Sequence, residues 1–370
     1  MKVWTGVAAA AAAVAFGLAA SAADAQPKGK SRTQKAPAPA VVETPAPPVP
    51  SGPPPEPLAA AIPVYAAFQA DIGDLQNQPV ANNDDLDRAL ERAAAQNRHA
   101  VMRGWIAYGA LTAAQSKEFV QGVRDTSGHY GQARFIRGLM LDPGYAQTLK
   151  GGPEAARLAL EGSRADGERI HAVGARYRQM AFDLQKQRWA NQVSQQQAAR
   201  VQRVKNLAAG AATRTVAAEF APRLVAAPGA SSPASDPSAF GGRAFWDTLR
   251  LTPVSSVQQV AAPTYAVAVR ANTDRVGAVN RMTTLAALYV LGATQDPAAQ
   301  TERLLNEDVG SKNCFELAQV QFYQCLSAAH FRYENAYCMG EHALQDMGAC
   351  IRDAASVDGA MSTPVAGVPR

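Results

Sequence analysis

All of the thiols in this 370-residue chain, Cys314, Cys325, Cys338 and Cys350, lie between Asn313 and Asp353. Ten residues separate the first pair and eleven the second. Cysteines grouped in this way can pair as disulfides, hold a metal or exchange electrons. Structural zinc sites and thioredoxin-like redox centres use close C-x-x-C pairs, and this chain has none. A metal reading is left with Cys338 and His342, four residues apart on one helical face. Two disulfides account for the thiols more simply if the chain is exported.

The N-terminus carries an export pattern. Lys2 supplies a positive start, Val7 to Ala19 is apolar, and Ala23-Asp24-Ala25 presents small residues for cleavage before Gln26. That apolar run is shorter than the ~20 residues of a membrane span. Residues 1–25 therefore read as a signal peptide. The mature chain is expected to be periplasmic or secreted, with no lipid-anchor cysteine and no transmembrane span. An oxidising compartment follows, and disulfides with it.

Helix geometry then selects the pairing. A helix starting at Asn313, with Glu316 closing its cap and Cys314 in its first turn, brings Cys325 back to within ~20° of Cys314 but roughly 16 Å along the axis. Those two cannot bond within an intact helix. Cys338 and Cys350 are likewise about 18 Å apart on a second helix. With a turn near His330 to Glu334, an antiparallel hairpin pairs Cys325 with Cys338 and Cys314 with Cys350. A twelve-residue step rotates Cys350 about 120° away from Cys338, so the second bridge requires a flanking position or crossed helices. Phe315, Phe322 and Leu326 lie off the cysteine face and are expected to dock the hairpin on the body.

Other catalytic signatures are absent from the sequence: no G-x-S-x-G, no H-E-x-x-H, no Walker loop and no dinucleotide-binding glycine fingerprint. Carboxylates acting on a polysaccharide carry no local signature, and Glu316, Glu334 and Glu341 in the cysteine segment are the candidates for such a role. Capping and solvation explain them more simply, so no catalytic residue, metal or cofactor is assigned. The net charge of +5 is mild for this length. It does not suggest nucleic acid as a partner, and fits weak attraction to anionic cell-wall polymers or headgroups.

The elements that must position the cysteine segment are helical. Residues 26–57 are rich in proline and alanine and read as a disordered spacer with Lys28, Lys30, Arg32 and Lys35 near its start. Residues 58–225 form a first helical region. It begins with Ala60 to Leu75, and Asn82 to Asp85 then cap a helix running towards Tyr108, whose buried face carries His99, Met102, Trp105 and Ile106. Thr112 with Gln115 reads as a capping box, Asp142-Pro143 as another helix start, and Gly151-Gly152-Pro153 as a stop followed by a start. The longest signal runs from Pro153 to about Leu207, with Gly162 and Gly167 as weak points. Its apolar seam is Ile170, Val173, Tyr177, Met180 and Leu184, after which Gln187, Asn191 and Ser194 interrupt it.

This stretch is also the most basic of the chain and is rich in glutamine around Trp189. Arg176, Lys186, Arg188, Trp189, Arg200 and Arg203 are the candidate partner-binding residues. Residues 226–242 read as a flexible linker. Residues 243–355 form a second helical region with a short helix over Arg243 to Leu251. A buried helix follows from about Pro263, with Val269, Val276, Val279, Met282 and Leu285 on its face. A short helix through Leu304 and Leu305 leads into the four-cysteine hairpin, and residues 356–370 read as a disordered tail.

The expected fold is all-α: an irregular multi-helix body, a C-terminal disulfide-stapled antiparallel hairpin and a disordered N-terminal spacer. The expected function is an exported, non-enzymatic envelope protein that scaffolds or binds a protein partner or a cell-wall polymer. The alternative is a peptidoglycan hydrolase or other envelope enzyme with dispersed carboxylates.

Overall fold

Helix α3 (Arg98–Ala113) is enclosed almost all round, packed chiefly against the helices at Pro57–Asn77, Gly152–Leu184, Val276–Val290 and Val309–Ala328. Its large side chains, Met102, Trp105, Ile106 and Tyr108, are buried, so it contributes apolar surface in every direction. The computed structural model describes residues 57–209, 269–271, 276–295 and 298–357. Contacts divide the chain into Met1–Gly52 and Pro53–Arg370, and every described residue belongs to the second unit. The segments read as signal peptide (1–25), proline-rich spacer (26–57, except Pro57), linker (226–242), short helix (243–251) and tail (356–370, except residues 356–357) lie outside the described residues.

The described chain is all-α apart from one short strand pair. Besides α3, the first part of the chain forms α1 (Pro57–Asn77), α2 (Asn83–Ala94), α4 (Lys117–Tyr130), α5 (Gln132–Leu141), α6 (Tyr145–Thr148), α7 (Gly152–Leu184) and α8 (Gln197–Ala209). After the strand β1 (Val269–Ala271) come α9 (Val276–Val290), α10 (Ala298–Asn306) and α11 (Val309–Ala328). A continuous rod follows: α12 (Arg332–Cys338), a π-helical segment (Met339–Gln345) and α13 (Asp346–Arg352). The strand β2 (Ala355–Val357) pairs antiparallel with β1. Val269 therefore lies in a strand, and the helix expected from about Pro263 begins at Val276 within the described residues.

Several expected boundaries move for local reasons. The helix expected from Leu86 to Tyr108 is two helices, because Asn97 turns extended and its side chain accepts from Ala100 N to cap α3 afresh. That restart resets the helical phase. His99 consequently faces out, while Arg98 is buried and donates to the carbonyls of Ala93 and Ala343. Burial lowers the Arg98 guanidinium to about 10. Thr112 is not a cap: its hydroxyl bonds back to Tyr108 O inside α3, and Ser116 caps α4 through Phe119 N. Asp142 does not cap a helix at Pro143 either. It accepts from Gly144 N, and α6 starts at Tyr145.

The stretch from Pro153 to Leu207 is α7 and α8 with a connection between them, and Gly162 and Gly167 lie within an unbroken α7. The seam residues Ile170, Val173, Tyr177 and Leu184 are buried as expected. Asp308 caps α11 through Ser311 N, which puts Cys314 beyond the first turn. Phe315, Phe322 and Leu326 are buried, and the Phe315 ring stacks on Trp105 with centroids 6.0 Å apart.

Both disulfides have the expected nested connectivity, Cys314–Cys350 and Cys325–Cys338, with Cα separations of 5.7 and 5.5 Å. The angular misfit of the outer bridge is resolved within the rod. An i→i+5 turn accommodates one residue more than an α turn, so the twelve steps from Cys338 to Cys350 rotate like eleven. They return to within about 20° of one face, matching the eleven steps from Cys314 to Cys325.

The same extra residue sets how the rod lies on α7. Gly167 and Gly174 are seven apart on α7, and Gly340 and Gly348 are eight apart on the rod. A Cβ at Gly174 would meet Gly340 O at 2.6 Å, and one at Gly348 would meet Gly167 O at 2.7 Å. The two backbones approach closely in antiparallel register, a separation that only glycine permits at those four positions.

A polar cluster is buried between α1 and α7. Tyr65 donates to Asp166 at 2.7 Å, Gln69 donates to the Tyr65 hydroxyl at 2.9 Å, and Arg169 donates to Gln69 Oε1 at 2.7 Å. Burial, reinforced by the Asp166 charge, raises the Tyr65 phenol well above its ordinary range. Tyr65→Phe keeps the ring and removes a donor from a fully buried carboxylate. It is expected to cost about 1–3 kcal/mol in urea unfolding.

Candidate binding surface

The glutamine-rich stretch after α7 is held by the tip of the stapled hairpin. Without an apolar seam beyond Leu184, residues 185–196 leave the helix and run beside the connection between α11 and α12. Ser194 N donates to His330 O at 2.8 Å, Arg332 N to Gln192 O at 3.1 Å, and Tyr333 N to Ala190 O at 3.3 Å. Val193 and Phe331 form an antiparallel bridge. Arg332 also donates to Trp189 O at 3.1 Å. Gln197, at the start of α8, donates to Leu326 O at 2.7 Å and to Asn335 Oδ1 at 2.8 Å.

Two segments far apart in sequence thereby share one surface. Trp189 and Tyr333 both pack at the edge of a small cluster of Leu86, Ala181, Leu184, Ala190 and Ala336, and both stay half-buried. Phe331 stacks on Tyr333 with ring centroids 5.5 Å apart and planes 8° from parallel, and His330 meets Phe331 edge-on. Tyr337 follows one turn later and is 37% exposed. Around these rings the side chains of Gln185, Gln187, Asn191, Gln192 and Gln195 are exposed. Each carries an amide donor and acceptor.

The six basic and aromatic residues singled out in the sequence separate into two groups. Lys186, Arg188 and Trp189 lie on this surface. Lys186 is 3.6 Å from Asp183 and well exposed, and Arg188 has no partner among the described residues. Arg176 and Arg200 are engaged within the fold. Arg176 donates to the carbonyls of Leu75, Gln76 and Gln78 at the end of α1, and Arg200 forks onto Asp87 at 2.8 and 3.2 Å. Arg203 forms an exposed pair with Glu91 at 2.8 Å. Sequence reasoning took Phe331, Tyr333 and Tyr337 only as parts of a turn and a helix. The available signal was the density of rings in His330-Phe331-Arg332-Tyr333, in a chain otherwise sparse in aromatics.

The carboxylates considered for catalysis hold other positions. Glu334 accepts from the backbone N–H groups of His330 and Phe331 and so fixes the hairpin turn. Glu341 receives Arg178 at 3.0 Å, and Glu316 is exposed near Lys312 at 3.9 Å. Cys338 is disulfide-bonded, and His342 sits 2.8 Å from Asp346. Among the described residues, no group of three or more His, Cys, Asp or Glu is placed to hold a metal ion.

The disulfides point to an oxidising, extracytoplasmic environment. No helix among the described residues is long and apolar enough to cross a membrane. No family model matches this chain, and no curated protein or solved structure matches it significantly.

Proposed function

We propose that this protein is a binding module of the cell envelope, exported by residues 1–25, that grips cell-wall glycan with the surface formed by residues 185–196 and the hairpin tip. The observation that carries this reading is the joining of Trp189 and the Phe331–Tyr333 stack on one amide-rimmed face. Half-exposed rings offer flat apolar contact to the C–H faces of sugars, and exposed side-chain amides both donate to and accept from hydroxyls. Tyr333 and Tyr337 are one turn apart, about 6 Å along the axis, a step on the scale of a sugar ring. Lys186 and Arg188 add attraction to the carboxylates of peptidoglycan stem peptides. In this reading residues 26–57 are a tether and the disulfides keep the gripping face in shape.

The test is co-sedimentation of the mature chain with purified, protein-free peptidoglycan. Wild-type protein is expected in the pellet. The double variant Trp189→Ala/Tyr333→Ala is expected to bind at least tenfold less, with its helical circular dichroism unchanged. Equal pelleting of the two proteins, or no pelleting of either, would sink the proposal.

A further inference from the structure

A second feature shares no residue with the tip surface. Helices α5 and α10 flank a surface cleft of about 550 Å³. Ile136, Met140 and Leu304 form an apolar strip in its mixed lining, and Leu141, 80% exposed, continues that strip at the end of α5. Three guanidinium groups, those of Arg137, Arg281 and Arg303, line the same cleft beside a single carboxylate, Glu307.

The fold places carboxylates near two of these cations, Arg303 and Arg281, and among the described residues none pairs with Arg137. Glu307 is 3.3 Å from Arg303. Arg281 donates to the Glu307 carbonyl at 2.7 Å and lies 3.9 Å from Asp308, whose carboxylate already caps α11. Its Nε, the atom nearest Asp308, is buried and makes no hydrogen bond. Arg137 is exposed and has no partner among the described residues. A mixed lining, with an apolar strip of Ile136, Met140 and Leu304 beside the unpaired Arg137 guanidinium, suits a ligand that has an apolar part and an anionic end.

We infer that this cleft binds a single-chain anionic amphiphile, an alkyl chain ending in a carboxylate or phosphate. The volume falls in the range of small-molecule pockets, ~300–1,000 Å³. A peptide strand is disfavoured because the flanking walls are helices, whose main-chain groups are bonded internally and offer no edge for strand addition. The inference is independent of the glycan reading, and either can fail alone.

The experiment is calorimetric titration of the mature, oxidised protein with dodecanoate below its micelle concentration, beside three other probes. Dodecyl phosphate varies the head group, dodecanol removes its charge, and acetate removes the chain. Dodecanoate or dodecyl phosphate is expected to bind at least tenfold more tightly than dodecanol, and the tighter of the two identifies the head group. Acetate is expected to show no heat of binding. The double variant Arg137→Met/Arg303→Met changes exposed side chains and is expected to lose at least tenfold for the anionic probe while dodecanol is unchanged. No binding of either anionic probe, equal binding of dodecanol, or full retention in the double variant would overturn the inference.

Discussion

Replacing Cys314 and Cys350 together by alanine is expected to remove about 4 kcal/mol of stability, and replacing Cys325 and Cys338 about 3 kcal/mol. The difference follows from loop size, since the outer bridge spans a sequence separation of 36 and the inner one 13. A cross-link restricts the unfolded chain more as the loop it closes grows, with a logarithmic dependence. Cys338 and Cys350 are also buried, so the alanine variants lose some sulfur packing as well. Domains are commonly stable by only about 5–15 kcal/mol, which makes either loss a large fraction of the whole. Urea unfolding of the oxidised wild type and the two double variants measures this directly. The outer variant should have the lower midpoint. A reversed order, or losses below about 1 kcal/mol for both, would remove the bridges from any account of stability.

The second large effect is a reversal of sign at glycine. On an exposed helix surface, Gly→Ala stabilises by about 0.4–1 kcal/mol, because alanine loses less backbone freedom on folding. Gly128 in α4 has open space around it, and Gly128→Ala should show that gain. Gly340→Ala should do the opposite. Its Cβ would sit 2.6 Å from Arg178 N and 2.7 Å from Gly174 O, both main-chain atoms that cannot swing aside. The rod must move away from α7, and the buried core to which Tyr177, Met339 and Ala343 belong loosens with it. Overpacking of this kind costs about 1–3 kcal/mol. Thermal unfolding of the two alanine variants in parallel is the measurement. A stabilised Gly340→Ala protein would refute the close approach of α7 and the rod.

How much of this was legible in the sequence depends on whether the deciding physics was local. Disulfide connectivity was, because helical rise separates Cys314 from Cys325 and Cys338 from Cys350, and the antiparallel turn near His330 to Glu334 then leaves the nested pairing. The seam Ile170, Val173, Tyr177 and Leu184 was legible for the same reason, since its period is written in the chain. The π-helical segment was not. Its only trace was the 120° misfit of Cys350, and the rod's environment, with Gly174 against Gly340 and Arg98 bonded to the Ala343 carbonyl, belongs to distant elements. His99 was placed on the wrong side because one asparagine, Asn97, resets the phase between α2 and α3.

The candidate surface was half legible. Trp189 among glutamines attracted notice, but polar residues are silent about whether they continue a helix. Residues 185–196 are set in place by hydrogen bonds to a hairpin more than a hundred residues further along. Arg176 and Arg200 were as basic as Arg188 in sequence. Only the positions of the α1 carbonyls and of Asp87 separate the structural cations from those facing outward.

The nested bridges also bear on how the protein reaches its oxidised state. In an unfolded chain the neighbouring pairs 314/325, 325/338 and 338/350 would close loops of 11, 13 and 12 residues. The entropic difference among those closures is only about 0.15 kcal/mol and disfavours the longest, so random oxidation of neighbours would yield the native inner bond slightly less often than either wrong one. Helix formation takes about a microsecond, whereas disulfide chemistry takes seconds or longer. Once α11 and the rod are helical, both wrong neighbours are held far beyond bonding distance. Secondary structure formed before the oxidant acts thereby favours correct pairing, and wrong bonds made earlier must be reshuffled by thiol–disulfide exchange.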